Sequence, residues 1–410
     1  MKRLYILLLV ICVTGIARGQ NPQWINYGLG SEIICITEEG NYMWIGRNGG
    51  LIKLDKANGL IEQFNQANSG LPNDWVRAIS IDSNGNKWIG TSYGLAKFNG
   101  TNWIVYNNTN SGLPHSSNCI HSIAIDQSGN KWMGTSKGLV KFDDTSWTVY
   151  MAPFGGPFCN YGLTDVKIDQ SGIIWVGTIC GLAKFDGTNW TIYDNTNSGL
   201  SHNTVETIAI DPNGNKWINT RFDLVKFDNT NWTIYNTFNS GLPNDTVNTV
   251  TADQSGNKWL GIYNNGLAKF DGINWTVYNT TNSGLPDDIV VTVTIDQNGN
   301  KWIGTYYGGV AVFNENGVIL STQERIENSG FQTNIYPNPA SKQLTLSFPE
   351  FNTKNKAIAT LYNLSGQQLL QQNITQSNTE IDVHSLSNGI YFLKLNTNKG
   401  IIMKKFVVSR

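Results

Sequence analysis

The sequence predicts an all-β chain, a seven-bladed β-propeller followed by a small Ig-like β-sandwich. Three observations carry this prediction. The tetrapeptide Trp-Ile-Gly-Thr or a close variant recurs, with its tryptophan at Trp44, Trp88, Trp132, Trp175, Trp217, Trp259 and Trp302. The spacing stays at 42–44 residues, and each period holds four short strand-like runs, which is the signature of a propeller blade. From residue 334 onward the period is lost, and a different apolar alternation marks a second unit.

Residues 1–19 read as a secretory signal peptide. Lys2 and Arg3 precede the short apolar run Leu4–Val13, and Ala17-Arg18-Gly19 offers a small-residue cleavage site. That run is too short to cross a bilayer. Ile11 before Cys12 argues against lipid attachment. No later stretch approaches the length of a membrane helix, so no transmembrane segment is expected. The propeller is expected over 20–314, a linker over 315–333 and the second domain over 334–410.

One repeat shows how the rest fold. Ile79-Ser80-Ile81-Asp82 alternates apolar and polar as a strand does. Ser83-Asn84-Gly85-Asn86 is a tight turn, in which Asn-Gly supplies the positive φ a hairpin needs. Lys87–Thr91, Gly94–Phe98 and Trp103–Tyr106 are the second, third and fourth strands. Two tryptophans per repeat, such as Trp88 and Trp103, fit the wedge between twisted sheets. The last repeat lacks its Trp-x-x-Tyr strand, and Gln23-Trp24-Ile25-Asn26-Tyr27 stands alone near the start. This piece is expected to complete the seventh blade, which removes an exposed edge.

Charged residues are only 14 % of the chain, whereas Gly (42) and Trp (14) are abundant. Without residues 1–19 the formal net charge is −4. With no basic cluster before the last residues, a nucleic-acid partner is excluded. Beyond the leader the cysteines are Cys35, Cys119, Cys159 and Cys180. In an exported protein they can pair, with Cys159–Cys180 preferred because both sit on loops of one repeat. Cys35 lies in an apolar strand and reads as a buried thiol.

Comparing the copies separates frame from face. In a propeller the second-to-third turns and the fourth-to-first connections share one face. Those turns vary: Arg47-Asn48, Ser92-Tyr93, Ser136-Lys137, Ile179-Cys180, Arg221-Phe222, Tyr263-Asn264 and Tyr306-Tyr307. The start of the innermost strand is expected to hold Glu32, Arg77, His121, Thr164, Glu206, Asn248 and Val291 around the channel opening. A third ring comprises Asn73, His115, His202, Asn244 and Asp287. Loops on a rigid frame carry function, and aromatics among scattered polar groups suit a sugar polymer. The candidate ligand-binding residues are therefore Arg47, Tyr93, Lys137, Arg221, Phe222, Tyr263, Tyr306, Tyr307, Glu32, His115 and His202.

On the opposite face, Asp82, Asp126, Asp211, Asp253 and Asp296 belong to Asp-x-x-Gly-Asn turns. The spacing is too short for a calcium cage, and turn formation explains them. The alternative function is a hydrolase or lyase with a composite site at the channel mouth. Its candidate groups are Glu206, His121 and Arg77, since no nucleophile elbow, phosphate loop or paired acids occur. No metal site and no cofactor are expected.

The segment Ile125-Asp126 through Gly129-Asn130-Lys131-Trp132-Met133-Gly134-Thr135, with its counterparts ending Gly-Leu-x-Lys-Phe, resembles the two-component regulator propeller repeats of Bacteroidota surface sensors. The resemblance covers about 24–314. That family implies a membrane helix and a histidine-kinase module, which this chain lacks, so the sensor-kinase role is not expected. The Gly-Asn-x-Trp turns are also similar to those of streptogramin-opening lyases, a family that implies a His/Glu set with a metal. Only three histidines lie outside the tail, in different repeats.

The tail is similar to the type A sorting domain of type IX secretion. The matching pieces are Tyr336-Pro337-Asn338-Pro339, Leu361-Tyr362-Asn363-Leu364-Ser365-Gly366-Gln367, Gly389–Leu395 and the basic end at Lys404 and Lys405. The resemblance implies a small β-sandwich and export across the outer membrane. Release or attachment at the cell surface follows, often with tail removal. Tyr336, Pro337, Asn338, Pro339, Lys404 and Lys405 would belong to the recognised signal, and the secretion machinery would be a partner. A glycan or protein ligand is expected for the propeller.

Overall fold

A computed structural model describes residues 23–114, 119–151, 162–320, 333–348, 357–363, 368–397 and 400–409. The expected leader, His115 and Cys159 lie outside these residues.

Seven four-stranded antiparallel sheets form the propeller among the described residues. Blade 2 is typical, running Val76–Ile81, Lys87–Thr91, Gly94–Phe98 and Trp103–Tyr106 from axis to rim. Blade 7 is built from both chain regions. Val290–Ile295, Lys301–Thr305 and Val310–Phe313 take Trp24–Tyr27 as their outer strand. The register runs Trp24↔Phe313 to Tyr27↔Val310. Trp24 stacks on Phe313 at 4.3 Å, as Trp103 stacks on Phe98 at 4.3 Å in blade 2. The expected closure is therefore present, with the packing of an ordinary blade.

Each blade is locked at its first turn by one carboxylate. Asp126 Oδ1 accepts the Ser128 and Asn130 backbone N–H groups at 2.9 Å each. Its Oδ2 accepts the Asn130 amide at 2.7 Å and the Trp132 indole N–H at 2.9 Å. The same indole bond joins Trp88 to Asp82, Trp175 to Asp169, Trp217 to Asp211, Trp259 to Asp253 and Trp302 to Asp296. In blade 1 the turn is one residue shorter, and the longer Glu39 reaches Trp44 at 2.6 Å. A buried indole needs a partner for its N–H. The conserved turn geometry supplies it, and the carboxylate oxygens are occupied by N–H donors.

Blades join through their inner strands. Thr37 and Ser80 hydroxyls donate to the next blade's Ile79 and Ile123 carbonyls at 2.9 and 2.6 Å. Thr294 does the same to Ile36 at 2.8 Å, which closes the ring. The glycine of Trp-Ile-Gly-Thr is required by this approach, because a Cβ on Gly90 would lie 2.7 Å from Ile120 Cγ2. The lysine beside the next blade's tryptophan then covers the indole in five of the seven blades, as where Lys131 lies 4.5 Å over Trp88 and Lys216 4.4 Å over Trp175.

The tail forms two sheets. One contains Asn334–Tyr336, Gln343–Ser347 and Asn378–Asp382, and the other Gln368–Ile374, Ala357–Tyr362, Gly389–Thr397 and Gly400–Val408. Leu344, Leu346, Phe348, Leu361, Leu393 and Phe406 fill the core between them. The Tyr-Pro-Asn-Pro opening is exposed and tied to the last strand, whose Val407 N–H donates to Asn338 Oδ1 at 2.8 Å. Lys404 and Lys405 lie on that strand, and burial lowers the Lys405 pKa.

The expected linker is shorter than 315–333. Val318 and Leu320 are buried in one apolar cluster with Tyr27, Met43 and Trp302. The Ile319 N–H bonds Asn300 Oδ1 at 3.1 Å, and Lys269 pairs with Glu315 at 2.8 Å. Residues 315–320 therefore belong to the propeller, because apolar side chains at 318 and 320 cover the seam where the ring closes.

The carboxylate locks make a direct prediction. Asp211 accepts four N–H groups, including the buried Trp217 indole. Asp211→Ala should lower unfolding stability by about 2–4 kcal/mol in urea titration, with Asp211→Asn losing less. Burial pushes up the carboxyls of Asp82, Asp126, Asp211 and Asp253, but their hydrogen bonds outweigh it and hold them below the usual range. Their contribution is therefore present above the unfolded carboxylate range, near pH ~4, and should be lost as pH falls below it. Urea midpoints between neutral pH and pH ~3 check this.

Candidate functional site

The inner strands enclose a central channel of about 750 Å³. Arg77, His121, Thr164, Glu206, Asn248 and Val291 line it, as expected for the starts of these strands. Blade 1 differs from expectation. Ile33 pairs with Arg47 as Val76 pairs with Thr91, so Ile34 and not Glu32 occupies the equivalent position. The segment Leu29-Gly30-Ser31 after the closing strand shifts the apparent alignment.

Arg77 and His121 sit on neighbouring blades. The Arg77 Nε–H donates to Ser92 Oγ at 2.8 Å, and its guanidinium covers Trp75 at 4.8 Å. His121 Nε2 lies 3.1 Å from Ser136 Oγ. Burial and then the Arg77 charge lower the His121 pKa to about 4. Glu206 stands two blades further round. Burial raises its pKa, against the Arg221 charge and an Asn219 hydrogen bond. The three groups share the channel, but no hydrogen bond or ion pair joins Glu206 to either of the others among the described residues.

The variable turns divide into exposed and occupied positions. Tyr93, Phe222, Tyr263, Tyr306 and Tyr307 are exposed large side chains, joined by Trp75. Tyr306 and Tyr307 meet edge to face at 4.6 Å. Lys137 and Arg221 are also exposed. Arg47, a candidate from its position, is occupied. It donates to the Leu29 carbonyl at 2.7 Å and to Gln63 at 3.2 Å, pinning the segment behind the closing strand. Cys180 is disulfide-bonded. Cys35 faces the channel, and burial pushes its thiol up to about 12.

The third ring is mainly framework. Asn73 and Asn244 accept the Trp75 and Thr246 N–H groups at 2.9 Å each. Asp287 accepts the Ile289 N–H at 3.0 Å and the Tyr307 N–H at 2.6 Å, fixing the turn that presents Tyr307. His202 departs from this role. Its Nδ1 lies 3.4 Å from Asp223 Oδ2, and its ring packs 4.7 Å from Phe222.

Blade 5 is where the template breaks. At the positions that match Gly90 and Gly94, this blade has Asn219 and Asp223. Asn219 is fully buried, accepts the Arg221 N–H at 2.9 Å and donates to the Val247 carbonyl of the next blade. Arg221 takes a φ of 70°, a left-handed conformation unusual for a side chain of its size. Asn219 and Asp223 were not singled out as site residues, although their glycine-to-polar changes are visible between the copies. Phe238, 95 % exposed in the connection to blade 6, was also missed, and its type is ordinary for a loop. Among the described residues no group of three His, Cys, Asp or Glu side chains converges on a metal position.

The comparisons follow the two units. Residues 334–409 match the secretion system C-terminal sorting domain, and residues 70–93 match the two component regulator propeller. The extracellular domain of a hybrid two component system from B. thetaiotaomicron is similar in fold, with 18 % identity and a TM-score of 0.62. The match covers 94 % of this chain and 57 % of that one. PorZ, a surface component of the type IX secretion system of Porphyromonas gingivalis, has 16 % identity and a TM-score of 0.57. That match covers 94 % of this chain and 60 % of PorZ. Virginiamycin B lyase from Staphylococcus aureus has 13 % identity and a TM-score of 0.59, over 72 % of this chain and 99 % of the lyase. The chain thus spans well under two thirds of the first two structures, and these identities show likeness of fold alone. No curated protein sequence matches. The chain carries a regulator propeller repeat at 70–93 and a secretion sorting domain at 334–409, and the latter directs it to the cell surface or the secreted fraction.

His121 gives a pH test of the channel. Its folded pKa of about 4 lies below the unfolded 6.5, so its neutral form contributes stability that is full above pH 6.5. That contribution falls as pH drops from 6.5 to about 4. Urea midpoints of the wild type should decline across this window, and His121→Gln should flatten the decline.

Proposed function

We propose that the protein is an exported binding protein whose variable face takes a glycan chain. One observation carries this reading. Consecutive blades 5, 6 and 7 present Phe222, Tyr263 and the Tyr306–Tyr307 pair on the same second-to-third-strand turn, all exposed. Exposed aromatics in register cost solubility unless they meet a ligand. An arc of rings separated by polar turns suits a polymer with apolar ring faces and hydroxyl edges. The turns are held by bonds such as Tyr306 N–H to the Ile289 carbonyl at 3.0 Å. The rings are therefore preorganised, which limits the entropy lost on binding.

The sorting domain supports an encounter with the secretion machinery. A ligand displayed outside the cell is consistent with that export. The hydrolase or lyase alternative would need Glu206 and His121 to act on one bond, and no contact between them favours it.

A broad glycan array probed with the full chain tests the reading, with folding verified by thermal melting. Binding is expected, and Tyr306→Ala with Tyr307→Ala should weaken it by roughly tenfold or more. A blank array from folded protein would overturn it and favour a protein ligand.

A further inference from the structure

We propose that the blade 5 corner of this face is the subsite that sets ligand identity, and that it takes an uncharged sugar ring stacked on Phe222 between the loose Arg221–Glu206 ion pair and the His202–Asp223 contact. This rests on the glycan reading above and narrows it.

The corner is built by sequence changes seen in no other blade. Asn219 replaces the template glycine and turns Arg221 outward through its bond to the Arg221 N–H. Asp223 replaces the second glycine and faces His202. A left-handed non-glycine residue and a buried amide in the frame both cost stability, and such local conflicts concentrate at functional sites. Their joint product is an Arg221–Glu206 ion pair on one side of an exposed ring and a His202–Asp223 contact on the other.

The pairs are open ones. Arg221 Nε lies 3.7 Å from Glu206 Oε1, and His202 Nδ1 lies 3.4 Å from Asp223 Oδ2. A tight charge-assisted hydrogen bond is about 2.7–2.9 Å. Arg221 and Glu206 therefore keep donors and acceptors for the hydroxyls of a diol, which can accept from the guanidinium and donate to the carboxylate, and the half-exposed His202 ring adds a polar edge beside Phe222. The Arg221 side chain is 63 % exposed and makes no hydrogen bond among the described residues. Phe222 supplies the apolar surface between the pairs, with His202 at its flank.

Charge balance selects the ligand class. A carboxylated sugar would bring a third carboxylate beside Glu206 and Asp223. An amino sugar would set its ammonium against the Arg221 guanidinium. Either arrangement sets the ligand's charge beside a like charge of the corner. A neutral ring meets neither penalty, and mismatched charge is an effective means of rejecting close analogues.

The test uses the full chain on gluco- and galacto-oligosaccharides printed beside their uronate and amino counterparts, with affinities then measured by calorimetry. The neutral members should bind best. Phe222→Ala and Arg221→Gly should each weaken that binding by about tenfold, without lowering the melting temperature. Arg221→Gly suits the left-handed turn, so its fold should be kept. A preference for the uronate or amino members would overturn this proposal. So would full binding by both variants when Tyr307→Ala loses it, which leaves the aromatic-arc reading standing. Binding to no member of the array overturns both.

Discussion

The propeller depends on one contact made in every blade, the carboxylate that accepts the N–H of a buried tryptophan. The indole provides the bulk that fills the wedge between adjacent sheets, but it brings an N–H that water can no longer reach. Asp126 answers this for Trp132 and at the same time holds two backbone N–H groups of its turn. Hairpin geometry and core packing are thus fixed by the two oxygens of one carboxylate. Glu39 in blade 1 shows that the contact, rather than the residue, is what the fold requires. With a shorter turn, one more methylene restores the bond.

A frame so heavily tied leaves its face free to differ. Inner strands are bonded to the next blade, and Trp24–Tyr27 closes the ring as blade 7's outer strand. Lysines lie over the indoles at the seams. Turns between the second and third strands play a smaller part in this network. They vary in size and charge from copy to copy without disturbing the blades that carry them. Blade 5 goes further, placing an amide in the seam where other blades place glycine. The neighbouring strand tolerates it because that amide donates to the Val247 carbonyl.

Much of this was legible along the chain. The turn residues, the strand alternation and the missing strand of the last repeat are local or periodic signals, and they placed the blades and their closure. The tail's Tyr-Pro-Asn-Pro opening was legible as a motif, but its attachment to Val407 is a contact across 69 residues. Glu32 was misplaced because the loop behind the closing strand breaks the repeat alignment, and only strand register shows Ile34 in its stead. Arg47 shared a turn position with exposed residues, yet it is spent on the Leu29 carbonyl. Val318 and Leu320 sit in a stretch without periodicity, so their burial against Tyr27 and Trp302 could not be read from pattern.

By itself the sequence determined the number of blades, the order of strands within them, the pairing of its first strand with its last blade and the exported character of its tail. The first three follow from period-two alternation, turn chemistry and repetition, each of which acts over a few residues or one repeat, whereas the export is what the tail's motif resemblance implies. Tertiary structure alone decided which variable residues face outward and which are consumed by the frame. It set Arg77 beside His121 while leaving Glu206 without a contact to either, and it gathered His202, Phe222 and Asp223 at one corner. The reason is geometric. Position along a repeat fixes height and distance from the axis, whereas contact around the ring depends on how adjacent blades pack and on which side chains the seams have already engaged.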